Sequence, residues 1–122
     1  MQKYYQIFIG RNVTGGEPLS DRQWKKFQTE ILAVAEHRAT FDGVQIVTKG
    51  EFEGSWNGVA EDSFFVMWVE NSDIFDPANQ PLQGVYVQRF QLKEICSRFG
   101  QEASAFNNNG EMEHLKPLGQ NV

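Results

Sequence analysis

The chain has 122 residues, with 16 acidic and 11 basic side chains and a formal net charge of −5 at pH 7. A hydrophobic fraction of 40% and a charged fraction of 22% are ordinary for a globular protein and exclude a disordered chain. This length predicts one domain over residues 1–122. The acidic balance argues against a nucleic-acid-binding protein, since such proteins gain much of their affinity from basic side chains on phosphates.

The cysteine content and the N-terminal residues predict the compartment. Cys96 is the one cysteine, so an intrachain disulfide is excluded. The apolar run before Gly10 is too short for a signal peptide, and a membrane-spanning helix needs about 20 apolar residues. We therefore expect a cytoplasmic protein without a membrane partner.

A strand and a helix are predicted first. Residues 3–9 are rich in Tyr, Ile and Phe, which favours a strand. Ser20 and Gln23 form a Ser-x-x-Gln capping box, which marks a helix N-terminus. Apolar residues at steps of three and four then predict an amphipathic helix that ends near His37.

A hairpin is predicted next. Residues 44–56 favour a strand with a kink at Gly50, and Asn57-Gly58 is a strong signal for a tight turn. The returning strand, residues 63–70, is apolar on both faces, which is typical of a central buried strand.

The last part of the chain predicts a loop over 71–81 and a helix over 82–99, with Gly100 after its end. A strand over 102–106 follows. A turn at 107–110 leads to a short edge strand over 111–115, and residues 116–122 are expected to fray.

This order of elements predicts the fold class. A β-α-β-β-α-β succession is typical of an α+β, ferredoxin-like sandwich, in which an antiparallel sheet carries two helices on one face. The final short strand would add an extra C-terminal edge.

Residues that could carry chemistry are sparse. His37 and His114 lie far apart in the sequence, and further metal ligands are not evident. Cys96 falls on the apolar face of a helix, where a free cysteine acts as a small hydrophobic residue. We therefore expect no metal, no cofactor and no catalytic constellation.

Short motifs are spread over residues 3–106. They are Phe8-Ile9-Gly10-Arg11, Gly15-Gly16, Leu19-Ser20-Asp21 followed by Trp24 and Phe27, Phe41-Asp42-Gly43-Val44, Gly54-x-Trp56, and Arg98-Phe99-Gly100-Gln101-Glu102-Ala103. Together they resemble an uncharacterised bacterial family, a domain of unknown function with a ferredoxin-like fold. The resemblance implies that fold and brings no established activity.

The first hypothesis for function is a non-enzymatic binding module. Ferredoxin-like sheets with an open face often associate through it, so the partner would be a second copy in a homodimer or another protein, as for a phage-encoded inhibitor of a host system. Aromatic side chains dominate interface energies, and the expected anchors are Tyr5, Phe52, Trp56 and Trp68.

The alternative is a small-molecule-binding protein or enzyme with a pocket between the sheet and the helices. This hypothesis rests on fold analogy. Its expected polar and aromatic binding residues are Arg11, Trp56, Glu61, Gln101 and Glu102.

A third hypothesis is RNA binding through the sheet face. Ile7-Phe8-Ile9-Gly10 is similar to the shorter signature of RNA-recognition motifs, whose aromatic side chains stack on bases. Phe65 and Trp68 match the longer signature weakly, because Glu61-Asp62-Ser63 replaces its basic and glycine positions.

Overall fold

The computed structural model describes residues 2–13, 15–41, 43–56, 58–71, 81–101 and 103–116, with backbone alone for Trp56 and residues 81–87. Predictions for the 72–80 loop, Asn57, Glu102 and the 117–122 tail lie outside the described residues. The elements are β1 (Gln2–Gly10), α1 (Asp21–Arg38), β2 (Val44–Trp56), β3 (Val59–Asn71), α2 (Pro81–Arg98), β4 (Ser104–Asn108) and β5 (Glu111–Leu115).

The five strands form one antiparallel sheet in the order β2-β3-β1-β4-β5. Its first four positions are those of a ferredoxin-like sheet, and β5 is the additional edge strand. The predicted fold class is therefore confirmed.

Buried and partly exposed side chains alternate along β1, so the two faces of the sheet differ. Tyr5, Ile7 and Ile9 are buried in the core that the sheet forms with the helices. Gln6 and Phe8 point to the opposite face, which carries no helix of the described part of the chain, and they are partly exposed. We call this second side the open face.

Helix α1 begins and packs as the sequence predicts. The Ser20 hydroxyl accepts from the backbone N–H of Gln23, and the Gln23 side chain accepts from the backbone N–H of Ser20. Phe27 is fully buried and stacks on Phe99 with 4.7 Å between ring centroids. This contact joins α1 to the residue that follows α2.

The β2–β3 hairpin departs from the prediction at its kink. Gly50 pairs regularly with Phe65, whereas the register shifts between Ile46 and Thr48. Val47 is the extra residue of this bulge, and it is half exposed on the outer edge strand of the sheet. The kink expected at Gly50 was therefore wrong. A Cβ atom there would meet Phe65 at an ordinary 3.7 Å, so neither an irregularity nor close packing distinguishes this glycine.

A buried ion pair lies where α1 ends. Arg38 Nε donates to Glu70 Oε1, and both side chains are 8% exposed. The Tyr5 hydroxyl also hydrogen-bonds to Glu70. Burial is the main cause that raises the pKa of Tyr5 to about 12, and the Glu70 carboxylate raises it further.

This shift predicts a loss of stability at alkaline pH. The pKa of Tyr5 is higher in the folded protein than the ordinary 10.0, so its contribution is complete below pH 10.0 and is lost as the pH rises towards about 12. We expect Tyr5→Phe to remove this part of the alkaline decline. Urea unfolding of both proteins from about pH 9 upwards measures it. Parallel pH profiles would contradict the assignment.

Candidate functional site

A groove of about 610 Å³ lies on the open face, where the hairpin extends beyond the end of β1. This volume falls in the range of small-molecule sites, roughly 300–1,000 Å³. All five strands contribute to it, together with the β1–α1 loop and the α2–β4 connection. The described lining residues are Phe8, Ile9, Gly10, Asn12, Val13, Gly15, Phe52, Gly54, Ser55, Val59, Glu61, Ser63, Gln101, Ala103, Ala105 and Met112.

Two glycines leave space for side chains in this groove. A Cβ atom on Gly10 would lie 2.3 Å from the carboxyl carbon of Glu61. A Cβ atom on Gly54 would lie 2.7 Å from the Ser63 hydroxyl. Glycine within a strand often marks such close approach. The lack of a side chain at Gly10 therefore allows the Glu61 carboxylate to lie against the β1 backbone.

Glu61 is held in place by the loop after β1. Its Oε2 accepts from the backbone N–H of Asn12 at 3.0 Å, and the residue is half-buried. Arg11, one residue earlier, pairs instead with Asp62, whose carboxylate lies outside the groove. Among the described residues, Glu61 takes part in no ion pair.

Gln101 supports the same loop from the other side. It is buried, and its Nε2 donates to the carbonyl of Asn12 at 3.2 Å. Gly100 has φ of 73°, and a Cβ atom there would lie 2.7 Å from Val13 Cγ1. The loop after β1 is thus packed against the end of α2. Within this loop, the backbone of Asn12 is hydrogen-bonded to both Gln101 and Glu61.

Three phenylalanines form a cluster on the open face. Phe8 pairs across the strands with Phe65, and their ring centroids lie 6.3 Å apart. Phe52 lies 6.3 Å from Phe8 and 6.0 Å from Phe65, with its ring nearly perpendicular to that of Phe8. Phe8 and Phe52 line the groove beside Glu61.

The groove is apolar and carries negative charge. Among its described lining residues, Glu61 is the one charged side chain. An anionic or phosphate-bearing ligand would meet this carboxylate without a Lys or Arg from that lining. The electrostatics therefore favour a neutral or cationic ligand.

Arg11 has a structural position outside the groove. Its Nε donates to the Leu19 carbonyl at 2.6 Å, and its terminal nitrogens pair with Asp21 at 2.6 Å and Asp62 at 3.3 Å. The hydrogen bond to Asp21 raises the pKa of the guanidinium. These contacts tie β1 to the start of α1 and to the hairpin, so the guanidinium is already occupied.

The predicted aromatic anchors fall on different sides of the sheet. Trp68 is fully buried and Tyr5 nearly so, both facing the helices, so neither is available to a partner on the surface. Phe52 is 40% exposed and lies in the groove. The side chain of Trp56 and all of Glu102 lie outside the described residues.

The expected pocket between sheet and helices is occupied by the core, and the ligand-sized groove is on the open face.

Metal and thiol chemistry are not indicated in the described part of the chain. No three His, Cys, Asp or Glu residues there lie close enough to hold a metal ion. Cys96 is buried, which raises the pKa of its thiol to about 11, and its sulfur lies 3.2 Å from the Ser104 hydroxyl. A thiol with so high a pKa is a poor nucleophile at neutral pH.

Two solved structures are similar to this fold over nearly the whole chain. A phage SAM lyase in the apo state matches with a TM-score of 0.52 and 14% identity, over 97% of this chain and 91% of its own. A phage SAM lyase in complex with S-methyl-5'-thioadenosine matches with a TM-score of 0.50 and 16% identity, over 98% and 93%. At this identity the similarity shows the shared α+β fold.

Sequence comparisons add no relative. No family model matches the chain, and no curated protein matches its sequence. The resemblance to a bacterial family of unknown function stays a prediction. Within the described residues, no helix is long and apolar enough to cross a membrane.

Sequence analysis named two residues that line this groove. Glu61 and Gln101 were expected as binding residues, a role that stays a prediction, and the structure places both beside Asn12. Gly10 and Asn12 were not predicted as site residues. The position of Gly10 at the end of an apolar strand could have indicated its role. No pattern in the neighbouring sequence could have indicated Asn12, because its role comes from two hydrogen bonds of its backbone to distant residues.

Proposed function

We propose that the groove binds a sulfonium nucleoside of the S-adenosylmethionine type and that the protein cleaves this ligand to S-methyl-5'-thioadenosine. The observation that carries the proposal is an apolar, ligand-sized groove whose described lining has a single unpaired carboxylate, Glu61. The fold shared with phage SAM lyases, one of them bound to S-methyl-5'-thioadenosine, supports it.

The proposed reaction breaks one carbon–sulfur bond. The carboxylate of the ligand's own methionine moiety attacks the γ-carbon, so a carbon–oxygen bond forms and closes a five-membered lactone, the second product. The bond between that carbon and sulfur breaks, its electron pair stays on sulfur, and the cation becomes the neutral thioether S-methyl-5'-thioadenosine. Positive charge is therefore lost in the transition state. An apolar groove favours such loss of charge, because the cationic ligand gives up hydration on binding that the neutral product does not need.

Glu61 has one task in this scheme. Its carboxylate attracts the sulfonium group and so orients the bond that breaks. No proton leaves the ligand in this step, so Glu61 acts through its charge and not as a base. The hydrogen bond from Asn12 keeps one carboxylate oxygen fixed.

The other hypotheses have less support. Association with a second copy or with another protein was the first expectation from the sequence, and the comparisons give it no support. RNA binding would use Phe8 and Phe65, which do lie side by side. However, Glu61 is the one charged side chain in the described lining, and it would repel phosphates.

Glu61→Gln is expected to lower kcat/KM for S-adenosylmethionine by about 100-fold or more, because it removes the negative charge that attracts the sulfonium group and orients the bond that breaks. Chromatography of released S-methyl-5'-thioadenosine measures turnover, and calorimetry measures binding of S-adenosylmethionine and of the product.

The matched control is Glu53→Gln, which removes an exposed carboxylate from the same hairpin outside the groove. It should leave both measurements unchanged. Absence of binding by S-adenosylmethionine and S-methyl-5'-thioadenosine in the unmodified protein would refute the proposal. Equal activity of the Glu61→Gln variant would remove Glu61 from the mechanism.

A further inference from the structure

We infer that Phe8, Phe52 and Glu61 form an onium subsite, which recognises the positive charge of a methylated sulfonium or quaternary ammonium group. The inference rests on the proposed function, since it assumes that the groove holds a ligand. It adds which part of the ligand the groove recognises. It also names the residues that give a cation a higher affinity for the groove than a neutral thioether has.

Phe8 and Phe52 place two aromatic rings at right angles in the lining of the groove. Phe8 and Phe52 lie 6.3 Å apart with planes at 88°, so they meet as two walls rather than as a flat stack. Phe65 contacts both rings from the adjacent strand, which fixes their positions. The face of an aromatic ring is electron-rich and attracts cations within about 6 Å of its centroid.

Glu61 supplies the formal negative charge beside these rings. Phe8, Phe52 and Glu61 line the same groove, and the carboxylate takes part in no ion pair among the described residues. Arg11 is engaged by Asp21 and Asp62 and does not line the groove. A cation that enters would therefore find a carboxylate without a competing protein cation in the described lining.

The aromatic walls favour an onium cation over a primary ammonium. An ammonium group has three N–H donors and needs acceptors for them. Phe8 and Phe52 bring no oxygen acceptor to the cation, and one oxygen of the Glu61 carboxylate beside them already accepts from Asn12. An onium group carries no such donors, so aromatic faces and one carboxylate satisfy it.

The selectivity can be measured with ligands that differ by one methyl group and one charge. S-adenosylmethionine carries the sulfonium, and S-adenosylhomocysteine is the neutral thioether. We expect the unmodified protein to bind the cation about tenfold or more tightly. Phe52→Leu should reduce that ratio to about threefold or less, since it keeps apolar volume and removes the ring.

A control variant separates this role from general loss of an aromatic side chain. Phe90 is exposed on α2 and does not line the groove, so Phe90→Leu should leave the ratio unchanged. Glu61→Gln should abolish the preference for the cation. Both ratios are obtained by calorimetric titration at one salt concentration.

The possible results separate the inference from the proposed function. If S-methyl-5'-thioadenosine binds while the cation and the neutral thioether bind equally, the onium subsite is refuted and the ligand site stands. If no adenosyl compound binds, S-methylmethionine and choline are titrated against methionine as the neutral reference. Binding of either cation would support the onium subsite alone, and absence of binding would refute both.

Discussion

Arg38→Met is expected to lower the free energy of unfolding by about 3–5 kcal/mol, the usual cost of removing one partner from a buried ion pair. Arg38 and Glu70 are each 8% exposed, so loss of the guanidinium leaves the Glu70 carboxylate buried without its counter-charge. The guanidinium also lies 5.1 Å from the Phe41 ring centroid, and that contact would be lost too. Urea unfolding followed by tryptophan fluorescence measures the change.

An exposed ion pair provides the comparison. Arg98 is 47% exposed and pairs with Glu30 at 2.5 Å, so Arg98→Met should cost about 0–1 kcal/mol. In the double variant Arg38→Met with Glu70→Leu, neither charge remains buried, and much of the loss should be recovered. Equal costs for Arg38→Met and Arg98→Met would show that burial of the first pair contributes nothing.

Gly10→Ala is expected to lower ligand affinity by about tenfold or more while the protein remains folded. The added Cβ would lie 2.3 Å from the Glu61 carboxyl carbon, a distance at which one group must move. The flexible end of the Glu61 side chain moves more readily than the strand backbone. The carboxylate then leaves its hydrogen bond with Asn12 and its place in the groove. Calorimetric titration with S-adenosylmethionine measures the loss, which corresponds to about 1.4 kcal/mol per factor of ten.

Gly16→Ala is the matched control. Among the described residues, a Cβ atom there meets Val13 Cγ1 alone, at an ordinary 3.7 Å, and Gly16 is not part of the described lining of the groove. Adding Glu61→Asp to Gly10→Ala shortens the carboxylate and should restore part of the affinity. Unchanged binding by Gly10→Ala would mean that the position of the Glu61 carboxylate does not matter to the ligand.

The parts of the fold that sequence predicted depend on local signals. Ser20 and Gln23 mark the start of α1 because the capping box joins residues three apart in the chain. The Asn109-Gly110 turn lies between β4 and β5 because both residues adopt positive φ, which most side chains avoid. Element order then restricted the sheet to few arrangements.

The parts that sequence could not predict depend on which strand face meets the helices. Residues 64–69 of β3 are apolar throughout, so alternation did not show which side was buried. Trp68 was expected at a binding surface and is fully buried, whereas Phe65, three residues earlier, lies on the open face. For the same reason, sequence analysis predicted the pocket on the helix side of the sheet, whereas the groove lies on the open face.

By itself, then, the sequence determined the α+β class, the order of elements and the acidic, single-cysteine character, because periodicity and caps act between residues close in the chain. Only the tertiary structure decided the candidate site. Gly10 and Glu61 are 51 positions apart in the sequence, and Asn12 and Gln101 are 89 apart. Their contacts exist because antiparallel pairing of β1 with β3 and packing of α2 against the β1 loop bring these backbones together.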